Sequence, residues 1–447
     1  MISVIVTTYN IEQYIEQCLR SVVNQTYRDL EVIVVDDGSS DSTQDVVRSI
    51  AREDSRIIPV FLPENTPGGV AIAANTGLSK ARGEYIGFVD GDDWCEPFMF
   101  EKLIESSMKH DSEIVIGNFK NYDEKSSSFY DASDRRFWLK GLPVDEPIEG
   151  MSNKKTLLKF NPVPWRKLYK REFLEENNIR FPEGDYFYED NPFHWFCITR
   201  AERFSLVPDY LCYHRMNRAG QTMSTGDKRL LAMYEHHQTI HEWLKTNNLL
   251  DQFKEELVLW VVNNTCWIHD AIKDEYKDDV LLCLNDELSK YDGKFLDEVL
   301  NSSHMGNKGR VLAGKARGEG EGTGQGEQSR KSGLLKENIT SMAGGGLVRE
   351  TVQYYQQYGA LETARKIRSY LVARMPGPMK QALSSFSRTS KKNSDVEKDV
   401  KDIKNQLEFQ KLMLVLSEKE NEVIKDDLKD IKSELKNIRS SLDERTP

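Results

Sequence analysis

Long apolar runs are missing from this chain of 447 residues, and so are paired cysteines and any surplus of positive charge. Apolar stretches such as 258–262 fall far short of the roughly 20 residues that cross a bilayer. Six cysteines (Cys18, Cys95, Cys197, Cys212, Cys266 and Cys283) form no CxxC pair. That argues against a zinc site and fits reduced packing residues in a cytosolic protein. There are 61 Lys and Arg against 72 Asp and Glu, a net charge of −11. Nucleic-acid phosphates demand clustered cations, so a general nucleic-acid binder is disfavoured. The first residues, Met1-Ile2-Ser3-Val4-Ile5-Val6, enter an apolar run with no basic leader or cleavage site, and a cytoplasmic location is the expectation.

What the chain does have begins with alternation. Apolar, β-branched runs over 2–7, 31–35, 57–61 and 85–89 are separated by helix-spaced stretches over 11–23, 42–51 and 70–80. Strands separated by single helices predict an α/β fold with a mostly parallel sheet between helices. Such sheets bind ligands at the carboxyl ends of their strands, and acidic clusters follow the second and fourth runs. This nucleotide-binding architecture is assigned to 1–225. Residues 226–303 read as a helical extension, with Met233, Ile240, Trp243 and Leu244 among its apolar positions. Between Gly306 and Gly346 fall 12 of the chain's 28 glycines, so 304–346 is expected to be a flexible linker. Over 347–390 an amphipathic helical segment is expected. There Arg349, Arg365, Lys366 and Arg368 stand beside Leu347, Val348, Tyr354 and Leu371, a pattern expected of a helix docked on another domain and compatible also with peripheral contact at an anionic membrane. Last, a 4-3 spacing from Val396 to Leu442 places Val, Ile or Leu at 11 of 14 positions; Gln410, Ser417 and Asn421 are the exceptions. That register predicts a left-handed coiled coil within 395–444, and with it a homo-oligomer joined through 396–442.

Two acidic tips carry the candidate chemistry. Asp36-Asp37-Gly38-Ser39-Ser40-Asp41 stands where a strand gives way to a helix. A carboxylate there can accept the N–H of a pyrimidine base while turn amides face a ligand. The same residues also serve as ordinary turn and cap chemistry. Asp90-Gly91-Asp92-Asp93-Trp94 follows the fourth strand. Three carboxylates so close repel one another unless a cation lies between them. Hard oxygen ligands suit Mg²⁺ or Mn²⁺, which usually bind substrate phosphates as well.

Five blocks, in order, resemble the family 2 glycosyltransferases. They are Val4-Ile5-Val6-Thr7-Thr8-Tyr9-Asn10, Val34-Val35-Asp36-Asp37-Gly38-Ser39, Asn75-Thr76-Gly77, Ala81-Arg82-Gly83-Glu84-Tyr85-Ile86 and Phe88-Val89-Asp90-Gly91-Asp92-Asp93. Three later blocks are similar to the bacterial polysaccharide and teichoic-acid branch of that family. These are Trp165-Arg166-Lys167-Leu168-Tyr169, Tyr188-Glu189-Asp190-Asn191-Pro192-Phe193, and Tyr213-His214-Arg215-Met216-Asn217-Arg218 followed by Gln221-Thr222-Met223. The resemblance implies the GT-A fold and an inverting transfer of a sugar. The donor would be a nucleotide-sugar, expected to be a UDP-sugar; the acceptor is a hydroxyl of a surface polysaccharide or glycolipid, and the cofactor Mn²⁺ or Mg²⁺. It further implies Thr8, Tyr9 and Asp37 around the nucleoside, with Asp90 at the ribose. Asp92 would be the metal ligand with Asp90 beside it, His214 and Arg215 would hold the metal or diphosphate, and Asp190 would be the general base. Trp165, Tyr186 and Glu189 are expected on the acceptor side, since sugars lie well on aromatic faces. Where the family usually has Arg before the Asn of Asn75-Thr76-Gly77, this chain has Ala74, so Lys80, Arg215 or Arg218 is expected to supply that charge.

Two other classes compete. A nucleotidyltransferase shares the sheet and the carboxylates but wants a Gly-rich, basic loop where this chain has Thr7-Thr8-Tyr9-Asn10. A non-catalytic glycosyltransferase-like head on a coiled-coil scaffold is favoured by Ala74 alone. Against it, Asp37, Asp90, Asp92 and Asp190 are all present.

Overall fold

The computed structural model describes residues 1–138, 142–218 and 226–318, all within the unit Met1–Glu321. Most of the expected linker, the amphipathic segment, the coiled coil and Gln221-Thr222-Met223 lie outside the described residues.

The β-branched runs of the first ninety residues become strands β1 (Ile2–Thr8), β2 (Leu30–Asp36), β3 (Ile57–Phe61) and β4 (Tyr85–Asp90). β2 is buried along its whole length, as a strand covered on both faces must be. The sheet continues through β5 (Trp94–Cys95), β6 (Ile114–Asp123), β7 (Ser128–Asp131), β8 (Lys167–Lys170) and β9 (Phe204–Met216). Its order is β3-β2-β1-β4-β8-β6-β9-β5, with β7 paired to β6. Strands β1 to β4 run parallel, but β8 is antiparallel to both β4 and β6, as β5 is to β9 and β7 to β6. Only the β6–β9 pairing restores a parallel ladder. The expected mostly parallel sheet is therefore corrected to a mixed one. β8 comes late in the chain yet inserts between β4 and β6, and local patterning cannot announce a neighbour so distant in sequence.

Helices Ile15–Val23, Thr43–Glu53 and Ala71–Lys80 connect the parallel strands. The last lies so close to the sheet that a Cβ at Gly77 would stand 2.4 Å from Ile5 Cγ2, which explains the glycine of Asn75-Thr76-Gly77. Beyond the sheet, Ala232–Thr246, Leu250–Ala271, Lys277–Leu288, Gly293–Leu300 and Asn307–Ala316 form a helical half. It has a separate core built on Val258, Val262, Leu284, Leu288, Leu296 and Leu312. Asn307–Ala316 carries helical structure past 303, into the stretch expected as linker, because Leu312 and Ala313 bury there despite the neighbouring glycines. No helix among the described residues is long and apolar enough to cross a membrane.

Candidate active site

The carboxyl ends of β1, β2 and β4 lie side by side, with Thr8 in register with Asp36 and Thr7 with Asp90. Asp36 organises this edge. Its buried carboxylate accepts hydrogen bonds from Thr8 Oγ1 (2.9 Å), Ser39 Oγ (2.5 Å), Ser39 N (3.0 Å) and Gln44 Nε2 (2.7 Å). Four donors saturate a carboxylate, so Asp36 holds Thr8 and the turn in place. Asp37 N donates to Thr8 O (2.9 Å), and the Asp37 carboxylate accepts from Thr66 N (3.1 Å) and Thr66 Oγ1 (2.9 Å). Burial pushes that carboxyl above its ordinary range. Tyr9 stands beside this edge, 46% exposed.

At the end of β4 the carboxylate oxygens of Asp90, Asp92 and Asp93 come within 4.8 Å of one another. Burial, then the charges of Asp93 and Asp92, raise the Asp90 carboxyl well above the usual range. Three hard oxygens so crowded fit a divalent cation. Protein cations approach from β9 and just beyond it. Arg218 Nε pairs with Asp92 Oδ2, His214 Nδ1 with Asp93 Oδ2 (2.9 Å), and Arg215 N donates to Asp93 Oδ1 (2.7 Å). Burial opposes charge on His214, but the carboxylates of Asp93, Asp92 and Asp90 outweigh it and raise the imidazole to about 9. His214 is thus placed as the partner of Asp93, not among the three clustered oxygens. Asp93, visible in sequence as the third carboxylate of its run, is the ligand candidate that the motif comparison left out. Arg215 braces the loop: Nε donates to Asp92 O (2.9 Å), Nη1 to Glu124 (2.7 Å) and Nη2 to Gln17 (2.7 Å). Lys80 does not replace the family's arginine, because its helix starts at the ligand edge and ends, at Lys80, on the opposite edge of the sheet. Ala74 itself is buried in the main core, where a long cation has no room.

Residues 66–71 strap the two halves of the site together. Thr66 holds Asp37. Gly68, at φ +86°, packs against Gly184 so tightly that a Cβ would lie 2.1 Å from its carbonyl oxygen, and Gly69 N donates to Tyr186 O (3.0 Å). Glu189 Oε1 accepts from Val70 N and from Ala71 N (2.9 Å), capping the helix Ala71–Lys80 with a carboxylate. Glu189, expected to face the acceptor, is instead 3% exposed and turned to this helix end; burial raises its carboxyl to about 7.

The preceding Tyr188 has φ +71°, a rare conformation for a bulky residue. Asp190 then opens the helix Asp190–Arg200. Burial raises the Asp190 carboxyl, against the pull of Lys167 and of Asn191 Nδ2 at 3.1 Å. Asp190 lies near enough to the acidic cluster to add to the rise of Asp90. The helical half pins this segment: His236 Nε2 donates to Phe187 O (2.6 Å), and the Tyr188 ring meets Trp267 edge-on at 5.9 Å. No sequence signal distinguishes His236 from any other helical histidine.

Trp165 is corrected as an acceptor platform. It is buried, stacked on His214 at 5.2 Å and edge-on to Phe119 at 4.6 Å, so its faces are covered by protein. Tyr186 is half-buried, with its hydroxyl on Glu183 O (3.2 Å) and its ring against His236 (4.7 Å).

Comparison with known proteins agrees with this geometry. The sequence profile described as Glycosyl transferase family 2 matches residues 3–177. An uncharacterised glycosyltransferase of Bacillus subtilis strain 168, EpsJ, is 34% identical over 224 residues, covering 48% of this chain and 61% of EpsJ. Glycosyltransferase GlyG of Streptococcus pneumoniae serotype 4 is 34% identical over 230 residues, covering 50% of this chain and 73% of GlyG. Among solved structures, TarS of S. aureus is alike in fold, with a TM-score of 0.54 and 24% identity over 71% of this chain and 53% of TarS. The chain thus spans less than two thirds of the length of EpsJ and about half that of TarS.

Proposed function

The chain belongs to glycosyltransferase family 2, and from that premise we propose a metal-dependent, inverting transfer of sugar from a UDP-sugar to a hydroxyl of a surface polysaccharide or glycolipid. One observation carries it: Asp90, Asp92 and Asp93 converge within 4.8 Å at the strand edge that also holds Asp37, with Asp190 close by. Thr8, Tyr9 and Asp37 receive the nucleoside, and Asp90 the ribose. Asp92, with Asp90 and Asp93 beside it, would hold Mn²⁺ or Mg²⁺, and the bound cation would neutralise charge on the diphosphate. Arg215, Arg218 and the charged His214 add positive potential on the same side. Asp190 takes the proton of the acceptor hydroxyl onto its carboxylate. The acceptor oxygen forms its bond to the anomeric carbon on the face opposite the diphosphate, whose bond to that carbon breaks. One displacement without a covalent intermediate inverts the centre.

The heptads of 396–442 would gather several copies of the enzyme, and the basic, amphipathic pattern of 347–373 fits a helix docked on another domain, with contact at an anionic membrane as the second reading. The test is binding and hydrolysis of UDP-, GDP-, dTDP- and CMP-sugars with Mn²⁺, Mg²⁺ or EDTA, on wild type and Asp92→Asn. Metal-dependent binding of UDP-sugars, weakened about 100-fold or more in Asp92→Asn, is expected. Absence of binding by any nucleotide sugar would favour the non-catalytic head instead.

A further inference from the structure

With Trp165 buried, Glu189 serving as a helix cap and the Tyr186 ring packed on His236, the acceptor needs another surface. Of the Phe, Tyr and Trp side chains among the described residues, only Tyr9, Phe129 and Tyr130 are exposed. Tyr9 belongs to the donor edge. Phe129 and Tyr130 are consecutive on β7, and Phe129, 51% exposed, tops an aromatic stack. Beneath it Trp94 and Tyr213 lie face to face (5.1 Å, 17°), and Tyr122 meets Trp94 edge-on at 5.4 Å. Phe129 touches all three, at 5.0 Å from Tyr122, 5.3 Å from Tyr213 and 6.4 Å from Trp94.

The stack is continuous with the acidic cluster. Trp94 directly follows Asp93, and the Arg215 guanidinium lies over Trp94 (4.9 Å) and Tyr122 (5.6 Å) while its backbone N–H holds Asp93. Polar side chains rim it: Asn217 Nδ2 donates to Asp123 (2.8 Å), Glu124 accepts from Arg215, and the Tyr213 hydroxyl donates to Glu96 (2.5 Å). Exposed aromatic area forgoes burial worth roughly 25 cal/mol per Å², and such patches commonly mark binding surfaces. A protein partner would want a broad apolar face. An exposed ring backed by aromatics and rimmed by carboxylates and amides matches a sugar, whose C–H face lies on the ring while its hydroxyls reach the rim.

We propose that Phe129, supported by Trp94, Tyr122 and Tyr213, is an acceptor subsite for a neutral oligosaccharide chain. It holds a sugar unit of the chain whose hydroxyl Asp190 would deprotonate. The assignment of that chain as acceptor rests on the proposed glycosyltransferase function; the binding surface itself does not. The test is calorimetric titration of the full chain with hexasaccharides of glucose, galactose and N-acetylglucosamine, and separately with UDP and Mn²⁺. Wild type, Phe129→Ala and Phe129→Tyr are compared, with circular dichroism confirming the fold of each. Wild type should bind at least one hexasaccharide; Phe129→Ala should weaken it about tenfold, the worth of one aromatic contact. Phe129→Tyr should restore it, with UDP affinity alike in all three. Absence of hexasaccharide binding by wild type overturns the proposal. So does equal binding by Phe129→Ala, or an oligomer that dissociates in Phe129→Ala with sugar binding unchanged. Failure of UDP to bind wild type would instead remove the donor assignment and leave the sugar titration to stand by itself.

Discussion

The α/β half and the helical half both bury ionisable side chains, and one cluster in each shows opposite treatments. In the helical half the His237, Glu287 and Lys290 cluster is complementary. Burial keeps His237 below the ordinary histidine range, and hydrogen bonds from His237 and Lys290 outweigh burial to hold Glu287 low. A neutral His237 therefore donates from Nδ1 to the Glu287 carboxylate and accepts at Nε2 from the Tyr291 hydroxyl (2.9 Å), while Lys290 Nζ donates to Glu287 (2.5 Å). In the α/β half three carboxylates face one another, and the site's own cations answer only part of their charge. Complementary burial stabilises a scaffold; like charges held together by a rigid sheet edge are the arrangement expected of a ligand site.

The contrast breaks most sharply at Asp190. Asp190→Asn should lower kcat by about 10² to 10⁴ fold, the range for losing a general base, with UDP affinity and unfolding free energy close to wild type. An active Asp190→Asn enzyme would move the base elsewhere. The opposite pattern is expected across the molecule at Glu287. Glu287→Gln removes the charge that Lys290 Nζ meets and should lower stability by about 1.5 kcal/mol in urea unfolding, with UDP affinity unchanged. Were nucleotide affinity to fall in step with stability, the two halves would not be separable in this way.

How much of this was legible in sequence follows the same divide. Thr8, Asp37, Asp90 and Asp92 could be placed on one edge because β-branched runs and single helices alternate through the first ninety residues. Asp93 was visible as a carboxylate, but its partner His214 comes from β9, more than a hundred residues later. Glu189 as a helix cap, Trp165 behind His214, and His236 on the Phe187 carbonyl are all tertiary pairings between distant segments. Residue type and local spacing carry no trace of them. The same holds for β8, whose place between β4 and β6 made the sheet mixed.

Glu189 tests the divide most finely, because it belongs to both classes. It lies in the α/β half beside Asp190, yet it has a complement, the N–H groups of Val70 and Ala71 at a helix end. Burial nonetheless lifts its carboxyl from the ordinary 4.5 to about 7, with Asp190 adding to the rise. A carboxyl raised on folding binds its proton more tightly in the folded chain than in the unfolded one. Its contribution to stability is then fully present below pH 4.5 and is lost as pH rises through about 7. Relative to Glu189→Gln, wild type should lose stability over that window with a slope of at most about 1.4 kcal/mol per pH unit, the limit for one proton. Urea unfolding of both proteins at several pH values from 4.5 to about 7 measures the difference, and titrating groups that do not interact with Glu189 cancel in the comparison. Parallel curves would mean that the N–H groups of Val70 and Ala71 hold Glu189 ionised, as the hydrogen bonds from Lys290 and His237 hold Glu287. The carboxylate beside Asp190, the proposed base, would then be pure scaffold, and the like-charge character of the site would end at Asp190.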